Sequence, residues 1–473
     1  MSGWSRRRKR SKAGDTIAHV TQLISARLMQ APAPDRLEIL DAVIEVDAAG
    51  VITTVESADS DAGRALAAAD GERLVTPPGT VLLPGLVDLH VHAPQWPQLG
   101  TGLDLPLERW LFEYTFPLEA RYADLAFARP VWADLVDGLL AHGTTTAVYF
   151  ATVDVAATTA LAEAAAHAGQ RAYVGRVAMD HPDGTPAWYR DADAAAGVAA
   201  SARSIDEIRA LDGGRSLVQP IVTPRFTPAC TDELLHGLGA LAAATDTLVQ
   251  THASESDWAH AHALERFGVT DCAALDAAGL LRPGTVLHHG NHVTDADASL
   301  LVARGAGIAH CPLSNAYFAN AVLPTRRLVE RGVRMGLGTD VSGGASPSLL
   351  HTVHEAVTVS RILADGVDKT RPADERGVAG SAIDTTFGFW LATLGGAELL
   401  GAPVGLLAPG RRFDAVLVDT TSKGGSLRVF ADIDTPERVF EKVVRLAGPP
   451  DILGVWVDGR PVVTTPRMGP MAA

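Results

Sequence analysis

Short apolar runs alternate with Ala- and Leu-rich stretches through the middle of the chain, and this alternation constrains the fold more than any other feature. Eight runs have the length of buried strands: residues 86–89, 144–149, 172–175, 217–221, 247–250, 285–287, 307–309 and 334–337. The stretches between them, such as 154–167, 232–244 and 324–331, have the composition of helices. Continuous apolar strands that alternate with helices indicate a parallel sheet covered on both faces. We therefore predict an α/β fold, a (β/α)8 TIM-like barrel over residues 84–400.

The two ends of the chain carry strand signals of a different kind and predict a second, smaller domain. Residues 42–46 and 51–55 flank a turn that contains Gly50, and residues 413–418 read as a further strand. A hairpin with Asp458 and Gly459 at its tip follows near the end. We expect residues 16–83 and 401–473 to form a composite β-sandwich domain. Residues 1–15, with their basic run, are expected to be a disordered tail.

Composition and charge exclude several classes of partner. The formal net charge of −15 argues against broad contact with nucleic-acid backbones or anionic membranes, so we expect neither partner. No apolar run approaches the length of a membrane span, and no apolar segment of a signal peptide follows the basic run. The three cysteines include no CxxC pair, which rules out a disulfide framework and the His/Cys/Cys zinc site of cytidine-type deaminases. This cysteine usage predicts a cytoplasmic protein.

Most of the eight predicted strands are followed at once by histidine, aspartate or arginine. His90 and His92 follow the first strand, His252 follows the fifth and Asp340 follows the eighth. Because the carboxyl ends of barrel strands point into one mouth, these side chains should converge. A lone His-x-His pair is more often an ordinary buried or surface pair, but three imidazoles and a carboxylate suit a divalent metal ion. Zinc, iron and manganese all accept such a set.

Two further residues fit a reaction at that metal. Glu255 comes three residues after His252, where it could simply meet the dipole of a following helix or, beside a metal, move protons. His289 ends the sixth predicted strand, and we expect it, rather than His288, to face the mouth. The alternative for His289 is a histidine packed in the core.

These residues lie in motifs that resemble the amidohydrolase superfamily and, within it, the guanine deaminase group. Two elements are general to the superfamily: PGxxDxHxH, within PGLVDLHVHAPQ (84–95), and LGTD, within LGTDVSGG (337–344). The HAPQ element, LDLPLERWLFEYTFPLEARY (103–122) and TPRFTPAC (223–230) are more specific to the guanine deaminase group. Further matching segments are THASES (251–256), LHHG (287–290) and IAHCPLSN (308–315). The resemblance covers residues 35–465.

The resemblance implies a set of roles for the residues at the barrel mouth. It implies one zinc ion per subunit, bound by His90, His92, His252 and Asp340, and a homodimer. It also implies catalytic roles for Glu255 and Asp340 as proton carriers and for His289 as the residue that orients the hydroxide or the leaving amine. The substrate contacts that it implies are Gln95, Arg225, Phe226, His252 and Glu255.

General chemistry supports the implied contacts with a flat heterocycle. Arg225 can donate rigidly placed hydrogen bonds to a ring carbonyl, and Gln95 offers both a donor and an acceptor. Phe226 can stack on the ring. The alternatives are an arginine paired elsewhere and a phenylalanine of the core.

The function predicted on this basis is hydrolysis of guanine, a small-molecule purine, to xanthine and ammonia by metal-activated water. Two alternatives remain open: the same chemistry on 8-oxoguanine, a pterin or a triazine, and a non-enzymatic binding protein with a degenerate barrel. The complete metal set argues against the second. Several positions depart from the group's pattern, and the Tyr317-Phe318 pair leaves the shape of the pocket mouth open: Trp96, Ser256, Asn291, His292, Tyr317 and Phe318.

Overall fold

The computed structural model describes residues 21–211 and 217–465, so the tail predicted for residues 1–15 lies outside the described residues. The chain first forms five strands that belong to one sheet. They are β1 (Gln22–Ala33), β2 (Arg36–Val46), β3 (Ile52–Ser57), β4 (Glu72–Val75) and β5 (Thr80–Pro84).

The next strands form a parallel barrel sheet, and all eight predicted barrel strands are present in it. The strands are β6 (Leu86–His92), β7 (Thr144–Phe150), β8 (Arg171–Gly175), β9 (Val177–Ala178), β10 (Val218–Pro224), β11 (Leu248–Ala253), β12 (Val286–His289), β13 (Gly307–His310) and β14 (Arg334–Leu337). They pair in the order β14-β13-β12-β11-β10-β8-β7-β6, and the two-residue β9 pairs with β10. Every residue of β6 and β7 is buried, as expected for a sheet covered on both faces.

The segment after β14 closes the ring against β6. The backbone N–H of Asp340 donates to the carbonyl oxygen of His90 at 2.8 Å, and the N–H of His92 donates to the carbonyl of Val341 at 2.9 Å. The barrel therefore closes at the residues that the sequence assigns to a metal site.

The last strands return to the first sheet. They are β15 (Ala415–Asp419), β16 (Ile452–Val457) and β17 (Arg460–Thr464), and the sheet runs β17-β16-β15-β5-β1-β2-β3, with β4 paired to β1. The predicted fold class, a TIM-like barrel beside a separate sheet built from both chain ends, is confirmed.

Helices join the strands of the barrel and some strands of the terminal sheet. They are α1 (Asp61–Ala68), α2 (Leu107–Trp110), α3 (Phe116–Glu119), α4 (Leu125–Ala141), α5 (Val155–Ala168), α6 (Ala194–Leu211), α7 (Asp232–Thr245), α8 (Asp257–Phe267), α9 (Asp271–Ala277), α10 (Asp295–Arg304), α11 (Pro312–Ser314), α12 (Thr325–Glu330), α13 (Leu349–Asp365), α14 (Thr385–Trp390), α15 (Gly396–Leu400) and α16 (Pro436–Leu446). Single π-helical turns extend three of them, at Leu111–Thr115, Asn315–Ala319 and Leu391–Gly395. Within residues 21–211 and 217–465, no helix has the length and apolarity that crossing a membrane requires.

A buried ion pair joins the barrel to the terminal sheet. Arg171, the first residue of β8, donates from Nε and Nη2 to the two carboxylate oxygens of Asp414, each at 3.2 Å. Asp414 precedes β15, and its side chain also accepts the N–H of Asp458 at 2.8 Å. Its backbone carbonyl accepts the N–H of Gly85, where the chain enters the barrel.

Asp414→Ala should lower the free energy of unfolding by about 3 kcal/mol, because it removes the two-point partner of the buried Arg171 guanidinium. Asp458, whose Oδ1 lies 3.5 Å from Nη2, is then the remaining carboxylate beside it. Urea unfolding followed by circular dichroism measures the change. The matched control is Glu163→Ala, which removes an exposed ion pair with Arg129 and should cost less than about 1 kcal/mol. Equal losses in the two variants would contradict the role given to the buried pair.

Candidate active site

Three histidines and one aspartate converge at the carboxyl end of the barrel. The Nε2 atoms of His90 and His92 lie 3.2 and 3.7 Å from Oδ1 of Asp340. The Nε2 atoms of His92 and His252 lie 2.9 Å apart. All four residues are at least nine-tenths buried, so these atoms face one another rather than water.

The hydrogen bonds of this cluster fit a metal ion. Nδ1 of His252 lies 2.6 Å from the carbonyl oxygen of Arg225, so Nδ1 carries the proton and the Nε2 lone pair points to the cluster. Among the described residues, neither ring nitrogen of His90 has a hydrogen-bond partner. Buried imidazoles without partners are costly, and a divalent cation would satisfy their lone pairs.

Burial also sets the protonation state of these groups. It is the main reason that the pKa of His90, His92 and His252 lies well below its usual value, with the neighbouring histidines adding to the effect. Neutral imidazole is the form that binds a metal. Burial raises the pKa of Asp340, while the electrostatic interaction with His289 opposes that rise.

Asp88, which the sequence analysis did not single out, fixes the backbone at the point of closure. Its carboxylate accepts the N–H of Thr339 at 3.0 Å, the Oγ hydroxyl of Thr339 at 2.6 Å and the N–H of His90 at 3.2 Å. Complete burial raises its pKa to about 7. Asp88 therefore holds together the two segments that carry His90 and Asp340.

Glu255 lies on a turn whose backbone is held from two sides. Ser254 has a φ of +52°, and its N–H donates to the buried carboxylate of Asp271 at 2.9 Å. The side-chain amide of Asn291 donates to the carbonyl of Glu255 at 2.8 Å. Burial, and then the charge of Asp340, raises the pKa of Glu255 to about 8. A carboxyl group of this kind is protonated at neutral pH and can act as an acid.

His289 faces the cluster, as the sequence predicts. Its φ of +73° turns the chain at the end of β12, and its Nε2 lies 3.7 Å from Oε1 of Glu255 and 4.0 Å from Oδ2 of Asp340. Its Nδ1 contacts Oδ1 of Asn315 at 2.9 Å. Because an amide oxygen only accepts, Nδ1 carries the proton and Nε2 is an acceptor. His288 is not directed away from the barrel interior, since its ring stacks on that of His90 at 3.8 Å.

A small cavity opens beside the cluster and has one polar side and one apolar side. Gln95, Arg225 and Phe226, the implied substrate contacts, all line it together with His252 and Glu255. The apolar side consists of Leu107, Trp110, Leu111 and Phe318. Of the unusual Tyr317-Phe318 pair, only Phe318 lines this cavity, and it packs on Trp110 with 5.2 Å between ring centroids. The cavity therefore offers both hydrogen-bonding and apolar contacts to a ligand.

A second buried residue that the sequence analysis missed connects the polar contacts. Glu119 accepts from both terminal nitrogens of Arg225, at 2.6 and 3.1 Å, and from Nε2 of Gln95 at 3.0 Å. Arg225 is therefore paired with a carboxylate and exposed to the cavity at the same time. Glu119 ends the YTFPLE segment of the sequence, which is the signal that could have identified it.

The profile described as "Amidohydrolase family" matches residues 81–462, well over half of the chain. The chain belongs to the amidohydrolase family. It is 36% identical to the probable guanine deaminase of Schizosaccharomyces pombe over 454 residues, 93% of this chain and 83% of that protein. It is 36% identical to the guanine deaminase of Homo sapiens over 388 residues, 80% of this chain and 82% of that protein.

Solved structures of this family have the same fold. The guanine deaminase from C. acetobutylicum, solved with guanine bound in its active site, has a TM-score of 0.82 and 27% sequence identity. That match covers 94% of this chain and 100% of the other. The resemblance to the amidohydrolases inferred from the sequence motifs is thereby confirmed.

We expect His92→Ala to bind a divalent metal far more weakly, because it removes one of the converging lone pairs. Elemental analysis after dialysis should find about one ion per chain in the unmodified protein and almost none in the variant. His310→Gln is the matched control, since His310 also ends a barrel strand and is buried but lies outside the cluster. Full metal content in His92→Ala would contradict the assignment.

Proposed function

We propose that this amidohydrolase deaminates guanine, with water, to xanthine and ammonia. The observation that carries the proposal is that metal-binding side chains and hydrogen-bonding side chains line the same cavity. A metal-binding cluster with an acidic Glu255 forms one wall, and a hydrogen-bonding pair, Gln95 and Arg225, forms another. The guanine deaminases to which the chain is similar support the choice of ring.

We further propose that the ion is zinc, held by His90, His92, His252 and Asp340. Nitrogen and oxygen ligands in this number suit zinc in a catalytic site. When bound, the ion would lower the pKa of a water molecule to about 7, and so would supply a nucleophile for C2 of the ring at neutral pH.

The two oxygens of Asp340 face different partners, which gives them different tasks. Oδ1 lies toward His90 and His92, whereas Oδ2 lies on the side of His289. Oδ1 is thus in place as a metal ligand, and Oδ2 is in place to accept the proton that the attacking water releases.

Glu255 delivers protons to the substrate. Its raised pKa keeps it protonated near neutral pH, so it can donate to a ring nitrogen beside C2 as the carbon is attacked. The resulting carboxylate then receives the proton held by Asp340 and passes it to the amino group, which leaves as ammonia. As the C2–N bond breaks, the hydroxyl proton on C2 passes to Glu255, which restores its acid form and leaves the C2 carbonyl of xanthine. Guanine and one water molecule thus give xanthine and ammonia.

His289 acts as a neutral acceptor in this scheme. Burial lowers its pKa, and Asn315 holds its proton on Nδ1. Its Nε2 can therefore accept a hydrogen bond from the attacking water or the leaving amine, which orients either group between Glu255 and Asp340.

We also propose a cytoplasmic homodimer. Cys230, Cys272 and Cys311 are buried and unpaired, which fits a reducing compartment. The resemblance to the guanine deaminase group supports two subunits, and light scattering on the purified protein measures that number.

Glu255→Gln should reduce kcat for guanine by about 10²–10⁴-fold, because the amide has the same size but cannot donate and retrieve a proton. Ammonia release gives the rate, and elemental analysis should show an unchanged metal content. Glu265→Gln is the matched control, since Glu265 lies on the exposed side of α8. A variant of Glu255 with the activity of this control would exclude the proposed proton transfer.

Asn315→Ala should lower kcat by about 10-fold or more while KM changes little, because His289 loses the acceptor that fixes its tautomer. Asn315→Asp keeps an oxygen acceptor at that place and should retain most of the activity. Steady-state kinetics on guanine separate the two parameters. Equal losses in both variants would show that Asn315 acts through something other than its oxygen.

A further inference from the structure

We propose that Glu119 determines which purines this site accepts, by turning the polar edge of the cavity into a row of hydrogen-bond donors. The inference rests on the proposed deamination of guanine and adds a residue that does not line the substrate cavity. Glu119 is therefore a positioning residue that acts through Arg225 and Gln95.

Glu119 and Phe116 hold the guanidinium of Arg225 in one orientation. Each terminal nitrogen of its guanidinium uses one N–H on Glu119, at 2.6 and 3.1 Å. The group also lies against the ring of Phe116, 4.9 Å from its centroid. A two-point carboxylate contact and a ring face fix the guanidinium plane, and an arginine has five N–H donors and no acceptor. The remaining N–H groups of Arg225 are thus its only means of contacting a ligand in the cavity.

The two ends of the Gln95 side-chain amide have different partners. Nε2 donates to Glu119 at 3.0 Å, while Oε1 accepts the backbone N–H of Ser342 at 3.2 Å. Rotation of the amide by half a turn would place its oxygen against the Glu119 carboxylate and its NH2 against another N–H. The orientation is therefore locked, and the second N–H of Nε2 stays available as a donor.

The burial of Glu119 explains why it fixes the orientation of both Arg225 and Gln95. The side chain is buried, with 1% of its surface exposed, and α3 carries it on the same short helix as Phe116. A buried carboxylate must have its acceptor sites filled, so it draws N–H groups from both neighbours. One residue thereby sets the hydrogen-bonding character of two substrate contacts.

A donor-only edge selects the ligand by its acceptors. Guanine carries two adjacent acceptors, O6 and N7, on the edge away from its 2-amino group. 2,6-Diaminopurine keeps the reacting 2-amino group but has an N–H donor in place of O6, which would face the donors of Arg225 and Gln95. A site built to bind a polar group rejects the analogue that mismatches it, because buried groups are then left unpaired.

The experiment compares kcat/KM for guanine with kcat/KM for 2,6-diaminopurine in the metal-loaded enzyme and in Glu119→Gln. We expect a guanine preference of at least about 10²-fold in the unmodified enzyme. In Glu119→Gln, the guanine value should fall and the preference should drop to about 10-fold or less. A neutral amide at this place can pair with either end of the Gln95 amide, so only the Ser342 N–H still favours the present orientation.

Glu113→Gln is the matched control, because Glu113 lies on the preceding π-helical turn, is exposed and pairs only with Arg109 among the contacts that the structure gives it. It should keep both the activity and the preference. A purely structural role for Glu119 would lower both substrates in parallel and leave the ratio unchanged, which would overturn the proposal.

Two further measurements keep the proposal testable if Glu119→Gln does not fold. Glu119→Asp retains the charge but is one methylene too short to contact both partners, so it should lose part of the preference. The second measurement uses the unmodified enzyme alone. If its kcat/KM for guanine is about equal to its kcat/KM for 2,6-diaminopurine, the inference is overturned. An unmodified enzyme that releases no ammonia from guanine would overturn the proposed function instead.

Discussion

Closure of the barrel between β6 and the segment after β14 is the constraint on which the site depends. The backbone hydrogen bonds that complete the ring involve His90, His92 and Asp340 themselves. The carboxylate of Asp88 accepts N–H groups from both segments, at His90 and at Thr339. The metal-binding atoms therefore cannot separate unless the barrel opens. A cluster of neutral, desolvated imidazoles is costly on its own, so the strength of the surrounding sheet is what holds these lone pairs together until an ion satisfies them.

Three buried carboxyl groups lie in or next to the cavity, and the free-energy cost of burying each one is offset in a different way. Asp340 lies against the histidines and fits a metal cation as its counter-charge. Glu119 is ion-paired with Arg225, whose guanidinium is its counter-charge. Among the residues that the structure describes, Glu255 has no ion pair with an arginine or a lysine, and burial raises its pKa to about 8, so it is protonated at pH 7. The proposed separation of metal binding, recognition and acid catalysis among these carboxylates follows from their different electrostatic surroundings.

The sequence predicted the barrel well, because its strands are largely apolar and most of them end in or are followed by polar residues. It missed β1, where Arg27 and Gln30 interrupt the apolar pattern of a strand whose middle is largely buried. It also gave no role to Asp88, Glu119 or Asn315, although all three lie in the quoted motifs. Their roles depend on partners 251, 106 and 26 residues away along the chain, which no local pattern reveals.

The Tyr317-Phe318 pair shows how a departure in sequence can leave the chemistry untouched. The segment forms a π-helical turn that begins at Asn315, so the same short stretch carries the acceptor for His289 and part of the apolar wall of the cavity. Tyr317 is 43% exposed, whereas Phe318 packs on Trp110. A change of side chain here alters the face of the ring pocket, while backbone geometry preserves the position of Asn315. Contacts with the face of the ring can therefore vary independently of the reaction. In the proposed scheme, the hydrogen-bond donors that Glu119 orients then determine which ring is accepted.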